Sequence, residues 1–122
     1  MSSVLVVDGA NVVGSRPDGW WKDRAGAARR LHEALMVADV DYDVVVLVLE
    51  GGAKGGVRAG RDAHVRTVHA KGAGDETIVA EARAAAQRGD RTAVVSADRM
   101  LLARVQGAGA VGLSPTWLLD QL

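Results

Sequence analysis

The sequence predicts an α/β domain of three layers, with a mainly parallel five-stranded sheet between two layers of helices. Three observations lead there. Short apolar runs, Val4 to Val7, Val44 to Leu49 and Thr92 to Ser96, are too brief for helices and rich in β-branched residues, so they read as strands covered on both faces. Segments with apolar residues at helical spacing lie between the runs, and such alternation implies parallel strands joined by right-handed crossovers. Polar residues close each run: Asp8 after the first, Glu50 after the second, Ser96 and Asp98 after the third. The expected strand order is 3-2-1-4-5. It makes the first strand central and opens a crevice between strands one and four, where the order reverses.

Composition bounds the function. At 122 residues the chain is one domain, residues 1–122, large enough to bury a core without staples. Fifteen basic and fifteen acidic residues balance, which argues against a protein that coats nucleic acid by bulk attraction. Cysteine is absent, so disulfides and thiolate metal sites are excluded. The opening residues lack a basic region followed by a long apolar run, and the expectation is a cytoplasmic protein with no membrane contact.

The elements follow in order. After the first strand, Gly14 to Gly19 reads as a loop. Trp20 and Trp21 then lead into a helix whose Trp21, Ala25, Ala28, Leu31, Leu35 and Ala38 form one apolar stripe. Val44 to Leu49 is the second strand. Glu50 to Asp62 holds five glycines with Lys54, Arg58 and Arg61 among them, and is expected to be a mobile basic loop. His64 to His69 reads as a third strand at the sheet edge. Gly72 to Glu76 opens a helix with Ile78, Val79, Ala82, Ala85 and Ala86 facing inward and Gly89 past its end. Thr92 to Ser96 is the fourth strand, and Ala97-Asp98-Arg99 starts the helix that carries Leu101 and Val105. Ala110 to Leu113 is a short fifth strand. Ser114-Pro115 then caps and starts a last helix through Trp117 and Leu118.

On this plan Asp8, Glu50, Asp75, Glu76 and Asp98 all fall at the carboxyl edge of the sheet. Each alone has an ordinary explanation as a turn residue, a helix cap or a first-turn acid. Together they need another, because two carboxylates about 4 Å apart repel by roughly 4 kcal/mol at an effective dielectric near 20. A divalent cation offsets that repulsion, and Mg²⁺ or Mn²⁺ suits an all-oxygen set. Zinc is disfavoured, since His32, His64 and His69 lack ligand spacing. His64 and His69 read as structural or solvent-facing. A cation held at such a crevice implies phosphodiester hydrolysis. Asn11 is placed to orient a metal shell or a phosphate, and Ser96, a candidate at the substrate side, to hydrogen-bond a metal-bound water. Arg99, Lys71, Lys54 and Arg58 are candidates for the nucleic-acid backbone, and Trp20 for stacking on a base. Gly107 to Gly112 fits a dinucleotide glycine pattern but follows a helix instead of a strand, so no nucleotide cofactor is expected.

Val-Asp-Gly-Ala-Asn-Val-Val-Gly at 7–14, Gly-Asp-Glu-Thr-Ile at 74–78 and Ser-Ala-Asp-Arg at 96–99 resemble the motifs of the NYN domain, in its bacterial YacP-like branch, within the PIN-like ribonuclease superfamily. The resemblance covers nearly the whole chain. It implies a PIN-like, Rossmann-like domain acting as a metal-dependent ribonuclease, with Asp8, Asp75 and Asp98 binding Mg²⁺ or Mn²⁺ and Asn11 supporting them. Glu50 and Glu76 stand where many relatives carry aspartate; both keep the charge on a longer arm. RNA is the implied partner, and assembly into a homo-oligomer is left open. The alternative is a non-catalytic RNA-binding or protein-interaction module on the same fold. Retention of Asp8, Asn11, Asp75 and Asp98 favours the enzyme, because a binding module has no need of a repulsive cluster.

Overall fold

The computed structural model describes residues 2–122. Strand β1 (Ser3–Asp8) is buried along its whole length. It pairs in parallel with β2 (Val44–Leu49) on one side and β5 (Arg91–Val95) on the other. Beyond β2 lies β4 (Val65–His69), and beyond β5 lies β6 (Val111–Leu113), both parallel to their neighbours. These five strands have the expected order, with the reversal at β1 and β5. Side chains alternate across the sheet, as strand geometry requires. Leu5 and Val7 face helix α2 (Arg24–Val37) and pack with Leu31 and Leu35, whereas Val4 and Val6 face helices α3 (Gly74–Gln87) and α4 (Arg99–Gly107) and pack with Ile78, Val79, Leu101 and Val105. The short α5 (Pro115–Leu119) starts at the expected Ser114 cap and buries Leu118. Among the described residues no helix is long and apolar enough to cross a membrane.

Four local expectations are corrected. The sheet has six strands, because β3 (Gly60–Asp62) adds an antiparallel strand outside β4. His64 to His69 is therefore not the edge, and Val65 and Thr67 are buried. The glycine-rich stretch is largely built into regular elements. Gly51–Gly56 forms 3-10 turns packed on α2, and at Gly56 a Cβ would lie 1.9 Å from the carbonyl oxygen of Ala25, so the glycines permit close backbone packing. A short helix, α1 (Gly9–Gly14), follows β1 directly. Finally, Trp21 is 57% exposed and outside the core stripe, because Trp20–Lys22 is a separate 3-10 turn and α2 starts only at Arg24. The break at Asp23 resets the helical phase, and Trp20 becomes the half-buried ring.

Candidate functional site

The carboxyl ends of β1 and β5 meet where the sheet order reverses, and a chain of hydrogen bonds crosses that point. Asp8 is 7% exposed. Its Oδ1 accepts the backbone N–H of Asn11 at 3.3 Å, capping α1, and its Oδ2 accepts the hydroxyl of Ser96 at 2.9 Å. Ser96 Oγ in turn accepts the N–H of Asp98 at 3.1 Å. Asn11 closes the circuit, its Oδ1 accepting the N–H of Ala97 at 2.8 Å. Gly9 lets this happen: a Cβ there would sit 2.6 Å from the carbonyl oxygen of Val48, so only glycine lets α1 turn so closely over β2.

The pKa of Asp8 is raised from the ordinary aspartate value. Burial is the main cause, the charges of Asp75 and Glu50 add to it, and the hydrogen bonds from Ser96 and Asn11 oppose it. Asp75 and Glu50 thus share the field of Asp8 although they come from different strand ends. Asp75 lies in the first turn of α3, whose N-cap is Ala73 with no side-chain cap, so capping does not account for it. Glu50 leaves β2 in an extended conformation, and its Oε1 would lie 3.4 Å from a Cβ on Gly74.

The other candidates are placed differently. Asp98 is the N-cap of α4, with Oδ1 accepting from the N–H groups of Met100 and Leu101 at 3.0 and 3.1 Å. Glu76 turns toward α4 and pairs with Arg104 through both carboxylate oxygens at 3.0 and 3.1 Å, which lowers its pKa. Adjacent helix residues do not share a face, so Glu76 does not follow Asp75 toward Asp8. Ser96 is 1% exposed and has both its hydroxyl functions satisfied, so it positions Asp8 and Asp98 and is not free to touch a substrate. Lys54 is tethered, its Nζ donating to the carbonyl oxygen of Ala70 at 2.8 Å. Arg99 and Lys71 are exposed near the acidic edge, while Arg58 lines a separate groove between α2 and β3. His64 and His69 donate through Nε2 to the carbonyl oxygens of Leu35 and Val57, which is the structural one of the two roles expected of them. Among the described residues no three His, Asp or Glu side chains converge closely enough to enclose an ion as they stand.

Two partners were not legible beforehand. Arg24 reads from the helix stripe as an outward charge, yet its guanidinium lies 5.4 Å from the centre of the Trp20 ring. Arg104, the partner of Glu76, comes from another helix, so no local spacing reveals the pair.

No protein-family model matches this chain, and no curated protein matches its sequence. Among solved structures similar to it is that of Rae1 (YacP) from Bacillus subtilis, with a TM-score of 0.78 at 23% identity over 97% of this chain and 72% of that one. A tryptophan-to-leucine mutant of Rae1 matches with a TM-score of 0.70 at 20% identity, over 97% of this chain and 73% of that one. At these identities the likeness concerns the fold. The chain has the fold of Rae1 (YacP), the protein whose branch name the three sequence motifs had suggested.

Proposed function

We propose that this chain is a metal-dependent ribonuclease hydrolysing RNA phosphodiester bonds at the crevice over β1 and β5. The observation that carries this reading is Asp8: a buried carboxylate at the switch point, held on both oxygens, whose pKa is raised by burial and by the charges of Asp75 and Glu50. A purely structural residue there would not need a charge that burial and two further acids oppose.

The donor set fits Mg²⁺ or Mn²⁺ better than a cation needing a full protein cage. Mg²⁺ keeps several waters and takes one or two carboxylates plus substrate phosphate, so it does not need three converged protein ligands. Asp8 and Asp75 would hold the ion, Glu50 would act through water, and Asp98 has its Oδ2 available once Oδ1 has capped α4. Held there, a divalent cation would supply Lewis-acid polarisation of the phosphoryl oxygen, an activated water and charge stabilisation for the leaving oxygen. The chain's own residues do the positioning. Ser96 and Asn11 lock Asp8 to the Asp98 loop, and Arg99 and Lys71 offer cations to the RNA backbone.

The spacing of the acids also suits a second reading, an RNA-binding module without catalysis. Incubation of single-stranded and structured RNA with Mn²⁺, Mg²⁺ or chelator separates the two. The enzyme cuts with metal, fails with chelator and fails in Asp8→Asn. Binding without cleavage under every metal condition would establish the module instead.

A further inference from the structure

Beside the acidic crevice lies a second cavity of about 280 Å³, lined by Gly9, Ala10, Val13, Trp20, Arg24 and Glu50. It is smaller than the clefts of about 300–1,000 Å³ that take drug-sized ligands, which points to a small occupant. Its walls are of three kinds. Ala10 and Val13 of α1 are small and apolar, Trp20 supplies an aromatic face, and Arg24 and Glu50 supply a donor and an acceptor.

Trp20 is held for such a role. Its 3-10 turn is entered through Gly19 at φ 76, a left-handed conformation that glycine adopts without strain. The Trp21 ring stands perpendicular to it, with centroids 6.0 Å apart and planes at 88°. The Arg24 guanidinium sits 5.4 Å from the Trp20 ring centre, and the Arg24 stem runs beside Gly52, within 3.8 Å of where a Cβ would stand. Tyr42 and Trp117 pack against each other instead and take no part in the cavity. The two sites adjoin, because Gly9, which lines the cavity, directly follows Asp8, the N-cap of α1.

We infer that this cavity is a nucleobase subsite: it takes one unstacked base of single-stranded RNA, stacked on Trp20, with polar base atoms meeting Arg24 and Glu50, while that nucleotide's phosphate lies over Asp8. The chemistry is general. Unpaired RNA bases stack on aromatic rings and on arginine planes, and a duplexed base cannot enter a lateral pocket without being extruded. The inference rests on the ribonuclease reading for its substrate, and it adds a preference for unpaired over paired RNA at the scissile position.

The test is binding of a short single-stranded oligoribonucleotide carrying 2-aminopurine, in chelator so that nothing is cut, followed by base fluorescence. Wild type quenches the fluorescence on binding and binds the same sequence in a duplex more weakly. Trp20→Ala weakens single-strand binding about ten-fold, as loss of one base stack does, and Trp20→Phe retains most of it. Ala10→Leu fills the cavity from an exposed position on α1 and weakens binding to a similar degree, with thermal melts confirming that each variant is folded. Wild-type affinity in both Trp20→Ala and Ala10→Leu overturns the subsite. Loss in Trp20→Ala with no loss in Ala10→Leu also overturns it, since the ring would then act outside the cavity. The ribonuclease reading fails separately: quenching that depends on Trp20, with no cleavage in any metal, keeps the subsite and removes the enzyme.

Discussion

Both oxygens of Asp8 are occupied by donors, Asn11 N–H and Ser96 hydroxyl, yet its pKa is raised because burial outweighs them. Substitutions separate the two duties. Asp8→Asn keeps an oxygen for the α1 cap, turns an amide donor toward Ser96 in place of an acceptor, and removes the buried charge. Relief of that charge outweighs the changed Ser96 bond, so the variant's metal-free stability at neutral pH equals or exceeds that of wild type while RNA cleavage is lost. Asp8→Ala removes the cap and leaves the Ser96 hydroxyl without an acceptor, and chemical denaturation should show a loss of about 1–2 kcal/mol. The pH dependence has a fixed sign. A raised folded-state value means that the folded protein holds the proton longer than the unfolded chain. The contribution of Asp8 to stability is therefore fully present below the ordinary aspartate pKa and is lost as pH rises through the folded value. In chelator, the melting temperature of Asp8→Asn relative to wild type should rise from about pH 4 to about pH 7. A constant difference across that range would sink this account.

Helix geometry decides which neighbouring acids serve the site. Asp75 and Glu76 are adjacent in α3, and Asp75 adds its charge to the field of Asp8 while Glu76 pairs with Arg104 on the α3–α4 surface. Asp75→Asn should therefore reduce cleavage at least a hundred-fold more than Glu76→Gln does, on the order of the loss seen when a single electrostatic catalytic group is removed. Cleavage rates of the two variants at saturating Mn²⁺ measure it, and equal losses would restore Glu76 to the site. The same scale explains what the sequence did and did not show. Strand runs such as Val4 to Val7 and the stripe Ala28, Leu31, Leu35 were plain, because burial on two faces or one imposes a period on the residues. The helix α1 and the strand β3 were hidden. Six residues beginning with Gly9 give no full amphipathic period, and β3 is exposed at all three positions, so its pairing to β4 leaves no apolar mark.

Across the molecule, the sheet brings the ends of β1, β2 and β5 to one edge, and the helices then sort the acids by the direction each first turn faces. A ligand that binds only the assembled edge should stabilise the whole fold by mass action. At neutral pH, Mg²⁺ or Mn²⁺ should raise the melting temperature of the wild type and leave that of Asp8→Asn unchanged; no response in either would favour the non-catalytic module. By itself the sequence determined the parallel α/β class, the order of the five principal strands and the arrival of Asp8, Glu50, Asp75 and Asp98 at one edge, because hydrophobic periodicity and alternation fix topology. Tertiary structure alone decided that Ser96 is a buried brace, that Glu76 belongs to Arg104, and that Arg24 joins Trp20 at one cavity. Those outcomes depend on the direction of side chains from elements distant in sequence, and no local period encodes a contact between them.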